Sequence, residues 1–242
     1  MNYFAASATA IVLLCGSAAA RTPCRVPESF LTSDVVLTRV IKALKEQHRL
    51  DISVIGTGSS TLPGADGSNY AYPARLQVAL KELLPGNEIK VTAHIQPRQT
   101  TAQMLVGLKK ALADDKPTLV IWQAGTFDAM SGVEPEEFNT SLVTGVGLIA
   151  AAGSDADLLN MQYSPRTESL LNVSAYADVM HWVAQEHGAL LFDRLAIMRY
   201  WTEEGTFDLY APTKKYDMAR HVHDCIGRAL ASQIINAAHL TP

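Results

Sequence analysis

The sequence predicts a doubly wound α/β fold, a three-layer sandwich built on a five-stranded parallel sheet. Three observations carry the prediction. Short apolar runs alternate with stretches of helical period, each helical stretch meets a plausible stop, and no internal repeat or low-complexity linker interrupts the series. At 242 residues, 48% of them hydrophobic, the chain can bury one substantial core. Length therefore favours a single domain over residues 21–242, preceded by a leader over residues 1–20.

The leader is "MNYFAASATAIVLLCGSAAA". Its apolar stretch, around Ala8 to Leu14, is too short to span a bilayer, and Ala18-Ala19-Ala20 before Arg21 fits an A-x-A cleavage pattern. It reads as a secretory signal peptide, although its start holds no Lys or Arg. A periplasmic or secreted protein with no membrane span in the mature chain is expected. Cleavage removes Cys15 and leaves Cys24 and Cys225, at opposite ends of what remains. In an oxidising compartment that pair is expected to form a disulfide. The alternative is two separate thiols, with Cys225 a core residue of an apolar helical pattern.

The expected strands are "DISVIG" at 51–56, "IKVTAHI" at 89–95, "TLVIWQ" at 118–123, "ADLLNMQ" at 156–162 and "ALLFDRL" at 189–195. Between them lie "YPARLQVALKELL", "TTAQMLVGLKKALADD", "PEEFNTSLVTGVGLIAAAG" and "SAYADVMHWVAQEHG", with apolar residues three and four apart. Their stops are Pro85-Gly86, Asp115 before Pro117, Gly153 and Gly188. A last helix, "DCIGRALASQIINAA", closes the chain.

Several function classes fall away. The net charge of −4 gives no basic footprint, so nucleic acid is not an expected partner. The segment "GTGSST" has two glycines of a dinucleotide fingerprint, but Thr61 stands where the third is needed. No lysine occurs between Lys45 and Lys81, which excludes a Walker loop there. His221 and His223 form an H-x-H pair near Asp217, yet no spaced partner pattern announces further metal ligands. Neither a metal nor a cofactor is expected.

In open parallel sheets ligands bind at the carboxyl ends of strands, which directs attention to the residues just after each one. A serine held by a Gly turn after the first strand is how a nucleophile is presented to solvent, and Ser59 and Ser60 both sit there. The other reading of that loop is a small-residue turn with no chemistry.

From about residue 50 to 238 the chain resembles SGNH/GDSL-type hydrolases, as a divergent member. "VIGTGSST" followed by the delayed "YPARLQVAL" resembles the family's first block, G-D-S-x-T, and "LVIWQAGTFD" resembles its third, G-x-N-D. "ADLLNMQYSP" and "ALLFDRLA" stand where its fourth and fifth strands are expected, and "DMARHVHDCIGRALA" resembles its last block. The resemblance implies a flavodoxin-like sheet and ester hydrolysis by a serine nucleophile and a histidine base. A small-molecule or carbohydrate ester is the substrate it implies. It places the nucleophile on Ser59, with Ser60 the alternate one residue along, and the base on His223, with His221 the alternate. Asp217 is the best remaining carboxylate to orient the imidazole. The departures are equally specific. Gly58 replaces the family's Asp, Arg98 stands at the oxyanion-hole glycine, and Phe127 stands at the asparagine before Asp128. Removing one oxyanion donor costs about 100- to 1,000-fold in rate. Arg98, Gln123 and Thr126 are the candidate substitutes, and a catalytically weak relative that binds a glycan or acyl ligand is the alternative function.

Overall fold

The computed structural model describes residues 24–210 and 216–240, so the expected leader lies outside the described residues. Five strands form one sheet: β1 (Arg49–Gly56), β2 (Glu88–Ile95), β3 (Leu119–Gln123), β4 (Asp155–Leu159) and β5 (Leu190–Phe192). Their order is β2-β1-β3-β4-β5, and every neighbouring pair is parallel. β3 is central and all five of its residues are buried, which explains the unbroken apolar run "LVIW". β2 lies at the edge, and its exposed and half-buried positions interleave.

The helices before β3 are α1 (Thr38–Gln47), α2 (Gly67–Tyr70), α3 (Tyr72–Leu83) and α4 (Thr101–Asp115). After it come α5 (Thr126–Ser131), α6 (Pro135–Ala151), α7 (Pro165–Leu170) and α8 (Val173–His187). α9 (Arg194–Glu203) and α10 (Asp217–Ala237) follow β5. Local chemistry sets many of the boundaries. Pro73 and Pro135 occupy first-turn positions of α3 and α6, where a missing N–H costs nothing. Thr100 and Gln103 form a reciprocal capping box at α4, and Gly188 ends α8 in the left-handed conformation. α3 packs on α10, while α4 packs on α6 and α6 on α8, the two covering layers of a doubly wound fold.

Three local expectations need correction. The fifth apolar run is a strand only through Phe192. Asp193 caps a new helix by accepting from the Ala196 N–H at 2.9 Å, so Arg194 and Leu195 are helical. The fourth run likewise stops at Leu159, short of 162. The last helix begins at Asp217 rather than 224, which puts His221 and His223 inside it instead of ahead of it.

Cys24 and Cys225 form a disulfide, with Cα atoms 4.8 Å apart and a sequence separation of 201. Among the described residues no helix is long and apolar enough to cross a membrane.

The strand order locates the functional crevice. From β1 the chain crosses to β2 on one side, then returns past β1 to reach β3 on the other. The loops leaving β1 and β3 therefore diverge at their carboxyl ends, and a ligand crevice opens between them.

Candidate active site

The loop after β1 enters a single 3-10 turn, Gly58–Ser60, closed by the Ser60 N–H donating to the Thr57 carbonyl at 2.9 Å. This turn directs the two serines differently. Ser60 is buried and folds back under the strand end, where a Cβ on Gly56 would lie 2.2 Å from its Oγ, so only glycine fits there. Its hydroxyl pairs with the Tyr72 hydroxyl at 2.9 Å and donates to Gln123 Oε1 at 3.1 Å. Ser59 is half-buried, with its hydroxyl between Gln123 Oε1 at 3.4 Å and Arg194 Nη2 at 3.1 Å.

Gln123, the last residue of β3, is completely buried and organises this loop. Its Oε1 accepts from the Thr57 N–H at 2.9 Å and from the Thr57 hydroxyl at 2.6 Å, and it lies 3.4 Å from Ser59 Oγ. The backbone donor fixes which end of the amide faces the loop. Gln123 therefore presents an acceptor to the serines, and its Nε2 has no partner. It holds the serine turn in place and points no donor at the turn.

Arg194 is the residue that the strand reading of "ALLFDRL" concealed. It opens α9 and is completely buried. Nη2 donates to Ser59 Oγ at 3.1 Å and Nη1 to the Ser59 carbonyl at 3.4 Å, while Nε has no partner. No carboxylate pairs with it among the described residues. Burial pulls its pKa down to about 10, so the guanidinium stays charged at neutral pH. Its position is well fastened. Asn160, just past β4, donates to Asp193 Oδ1 at 2.7 Å and accepts from the Leu195 N–H at 2.9 Å, and His181 reaches Asp193 Oδ2 at 3.1 Å. Burial alone would raise the Asp193 carboxyl; the hydrogen bonds from His181, Ala196 and Asn160 outweigh it and hold the pKa below the usual value.

His223 lies against this group. Its ring stacks on Tyr72 with centroids 6.0 Å apart, and its Nδ1 accepts from the Tyr72 N–H at 3.0 Å. Burial, assisted by the nearby Arg194 charge, pushes its pKa down to about 3, so the ring is neutral. With Nδ1 accepting, the single proton of the neutral ring sits on Nε2. In this state His223 is a donor, and the place an orienting carboxylate would take is filled by a backbone amide. Asp217 is elsewhere, its side chain 69% exposed and 4.0 Å from Arg220. His221 is exposed on α10. Tyr72 is completely buried, and burial pushes its hydroxyl up to about 12.

The remaining candidates divide. Arg98 is exposed with φ 58, so it adopts the left-handed backbone that a glycine at this position would favour, and its side chain points to solvent. Its loop starts beside the serine turn, where the Gln96 N–H donates to the Gly56 carbonyl at 2.7 Å. Thr126 begins α5 with a buried hydroxyl that has no partner. Asp128 accepts from the N–H and hydroxyl of Thr101 at 2.8 and 2.9 Å, and burial raises its pKa. Its role is to tie α5 to the start of α4. Asp157 in β4 is fully buried with neither oxygen in a well-formed hydrogen bond, and burial, opposed weakly by the nearby Phe192 backbone amide, pushes its pKa up to about 8. A second Ser, His and Asp group is wired in the wrong order for nucleophilic catalysis. The Asp115 carboxylate sits between Ser53 (2.7 Å) and His94 (2.6 Å), so no imidazole faces that hydroxyl.

With this geometry in view, a family model described as "Non-GDSL lipase-like family" matches residues 23–240. The chain belongs to the Non-GDSL lipase-like family. The match agrees with the chain being an SGNH-like hydrolase, and the solved structures agree on the fold. TesA is 26% identical with a TM-score of 0.51, over 58% of this chain and 76% of that one. A lipase/acylhydrolase from Enterococcus faecalis is 17% identical with a TM-score of 0.63, over 80% and 98%. An acetylxylan esterase from Geobacillus stearothermophilus is 18% identical with a TM-score of 0.56, over 76% and 94%. No curated protein matches the chain. The Non-GDSL description suits a chain whose serine turn after β1 reads Thr57-Gly58-Ser59 and lacks a Gly-Asp-Ser run.

Proposed function

We propose that this Non-GDSL lipase-like protein is an exported ester hydrolase in which Ser59 is the nucleophile. The observation that carries the reading is the setting of the Ser59 hydroxyl. It stands half-open at the carboxyl end of β1, at the switch in strand order, and a buried cation donates to it at 3.1 Å. Membership of a lipase-like family supports ester hydrolysis in general. The Cys24–Cys225 bridge supports an oxidising compartment, and with it the reading of residues 1–20 as a secretory signal.

Ser59 Oγ attacks the ester carbonyl, its proton passes to a histidine, and the alcohol leaves with that proton. Water then attacks the acyl-enzyme, and the histidine returns the second proton to Ser59. His223 is the proposed base because it belongs to the buried group around Ser59. To act, it must release the Tyr72 N–H, so that the ring proton moves to Nδ1 and Nε2 gains a lone pair. Burial and the Arg194 charge, which hold its pKa down at about 3, weaken as the ring turns toward the water and substrate of the crevice. His223 also lines a cavity of about 190 Å³ whose walls are both polar, from Gln162, Tyr163 and Ser164, and apolar, from Met198 and Ile226, room for a small ester substituent. An acyl group on carbohydrate is the proposed natural substrate, in keeping with the acetylxylan esterase among the structural neighbours.

The test pairs fluorophosphonate labelling with hydrolysis of p-nitrophenyl acetate. Ser59→Ala is expected to lose both, His223→Ala nearly as much, and His221→Ala little. Retained labelling and turnover in Ser59→Ala would remove Ser59 from the mechanism. An unlabelled wild-type protein that still binds acylated oligosaccharide would leave a ligand-binding relative instead. Loss in His221→Ala with retention in His223→Ala would move the base by two residues.

A further inference from the structure

We infer that Arg194 is a positioning residue that activates Ser59 by stabilising its alkoxide. This rests on the reading of Ser59 as the nucleophile and adds to it the source of the charge that replaces the family's altered donors.

The argument starts from cost. A guanidinium taken wholly out of water is expensive unless a carboxylate and full hydrogen bonding compensate it. Arg194 has neither. It is completely buried, pairs with no carboxylate among the described residues, leaves Nε without a partner, and spends its two terminal nitrogens on a single serine. Such a residue does not stabilise the resting fold. Its missing counter-charge is supplied when Ser59 Oγ becomes negative. At 3.1 Å from a fully buried guanidinium, the alkoxide then receives a charge-assisted hydrogen bond stronger than the one the neutral hydroxyl accepts. The bond to the Ser59 carbonyl fixes the guanidinium plane, and the cap at Asp193 with its ties to Asn160 and His181 holds the helix start. Because Arg194 is completely buried and its bonds go to Ser59, it acts through Ser59 and does not touch substrate.

Phosphonylation isolates this step. The Ser59 Oγ–P bond forms, the P–F bond breaks, fluoride leaves with the bonding pair, and the hydroxyl proton passes to the base. Arg194→Met keeps the length of the side chain and removes the charge; Arg194→Lys keeps the charge and loses the fork. Arg194→Met is expected to label about 100-fold or more slowly, the scale on which removing one such donor acts. The midpoint of its labelling rate against pH should move to higher pH. Its kcat for p-nitrophenyl acetate should fall while KM stays nearly unchanged, and Arg194→Lys should recover part of the rate. Folded Arg194→Met labelled at Ser59 within about threefold of wild type, with the same pH midpoint, would overturn the inference. If Arg194→Met does not fold, Arg194→Gln and Arg194→Lys decide. A Lys variant about 10-fold faster than the Gln variant supports the inference, and equal rates overturn it. The reading beneath it fails differently: wild type then goes unlabelled, or Ser59→Ala is labelled as well.

Discussion

Asp157→Asn should flatten the dependence of stability on pH. Asp157 is fully buried in β4 with no well-formed hydrogen bond to either oxygen, and burial, opposed only weakly by the Phe192 amide, pushes its pKa from the ordinary 3.8 up to about 8. Because the folded value lies above the unfolded one, the folded state holds a proton that the unfolded state releases. The contribution is fully present below pH 3.8 and is lost as pH rises through about 8. Each pH unit in that window is worth about 1.4 kcal/mol, so the interval from pH 5 to pH 8 removes about 4 kcal/mol from the wild type. Full burial means no discount for solvent screening. Asparagine matches the shape of the side chain and cannot ionise, so it escapes this loss. The assay is urea unfolding of both proteins at pH 5, 6.5 and 8 with the disulfide intact. Groups other than Asp157 cancel in the difference between the two curves. That difference should shift in favour of the Asn variant by several kcal/mol across the interval. A difference constant to within about 1 kcal/mol would refute the assignment of a protonated carboxyl to this strand.

Two further outcomes are expected. Ser60→Ala leaves the buried Tyr72 hydroxyl without its 2.9 Å partner, so chemical denaturation should show a loss of about 1–2 kcal/mol while esterase activity stays within several-fold of wild type. Non-reduced, denatured protein lacking residues 1–20 should titrate no free thiol, and reduction of the Cys24–Cys225 bridge should cost up to about 5 kcal/mol for so long a loop, measured by urea unfolding with and without reductant.

Much of the fold is legible in the sequence because hydrophobic periodicity and strong stops coincide. β3 reads as a strand from "LVIWQ", and α4 and α8 read from period and capping chemistry. The pairing of Cys24 with Cys225 is legible from cysteine arithmetic once the leader is set aside. In the candidate site the sequence points to the strand ends where Ser59 and Gln123 meet, but not to Gln123 serving as an acceptor for the serine turn. Arg194 is lost to an ambiguity of short apolar runs. "LLFDRLA" continues the strand pattern through Leu195, and only the capping geometry of Asp193 ends it. The signal that could have found it is the aspartate itself, a strong N-cap residue placed before a helical period. The two histidines mislead for a related reason. Asp224 and Cys225 look like a helix start, but the helix is already two turns old there, and His223 is turned inward against Tyr72. α1 escaped the sequence reading altogether, since "TRVIKALKEQ" lies ahead of the first strand and outside the alternation that organised the rest.

The bridge between Cys24 and Cys225 makes most of the chain a covalent ring. A linear protein cut once in a surface loop falls into two pieces that can drift apart. Here a single cut anywhere between residues 25 and 224 opens the ring but leaves one connected molecule, with both new ends held on the same frame. The strand ends that carry Ser59 and Gln123 and the helix that carries His223 remain tethered to each other after such a nick. Wherever proteases meet this protein, a nick is therefore an injury to one loop and not a separation of the site, and two cuts are needed to release a fragment.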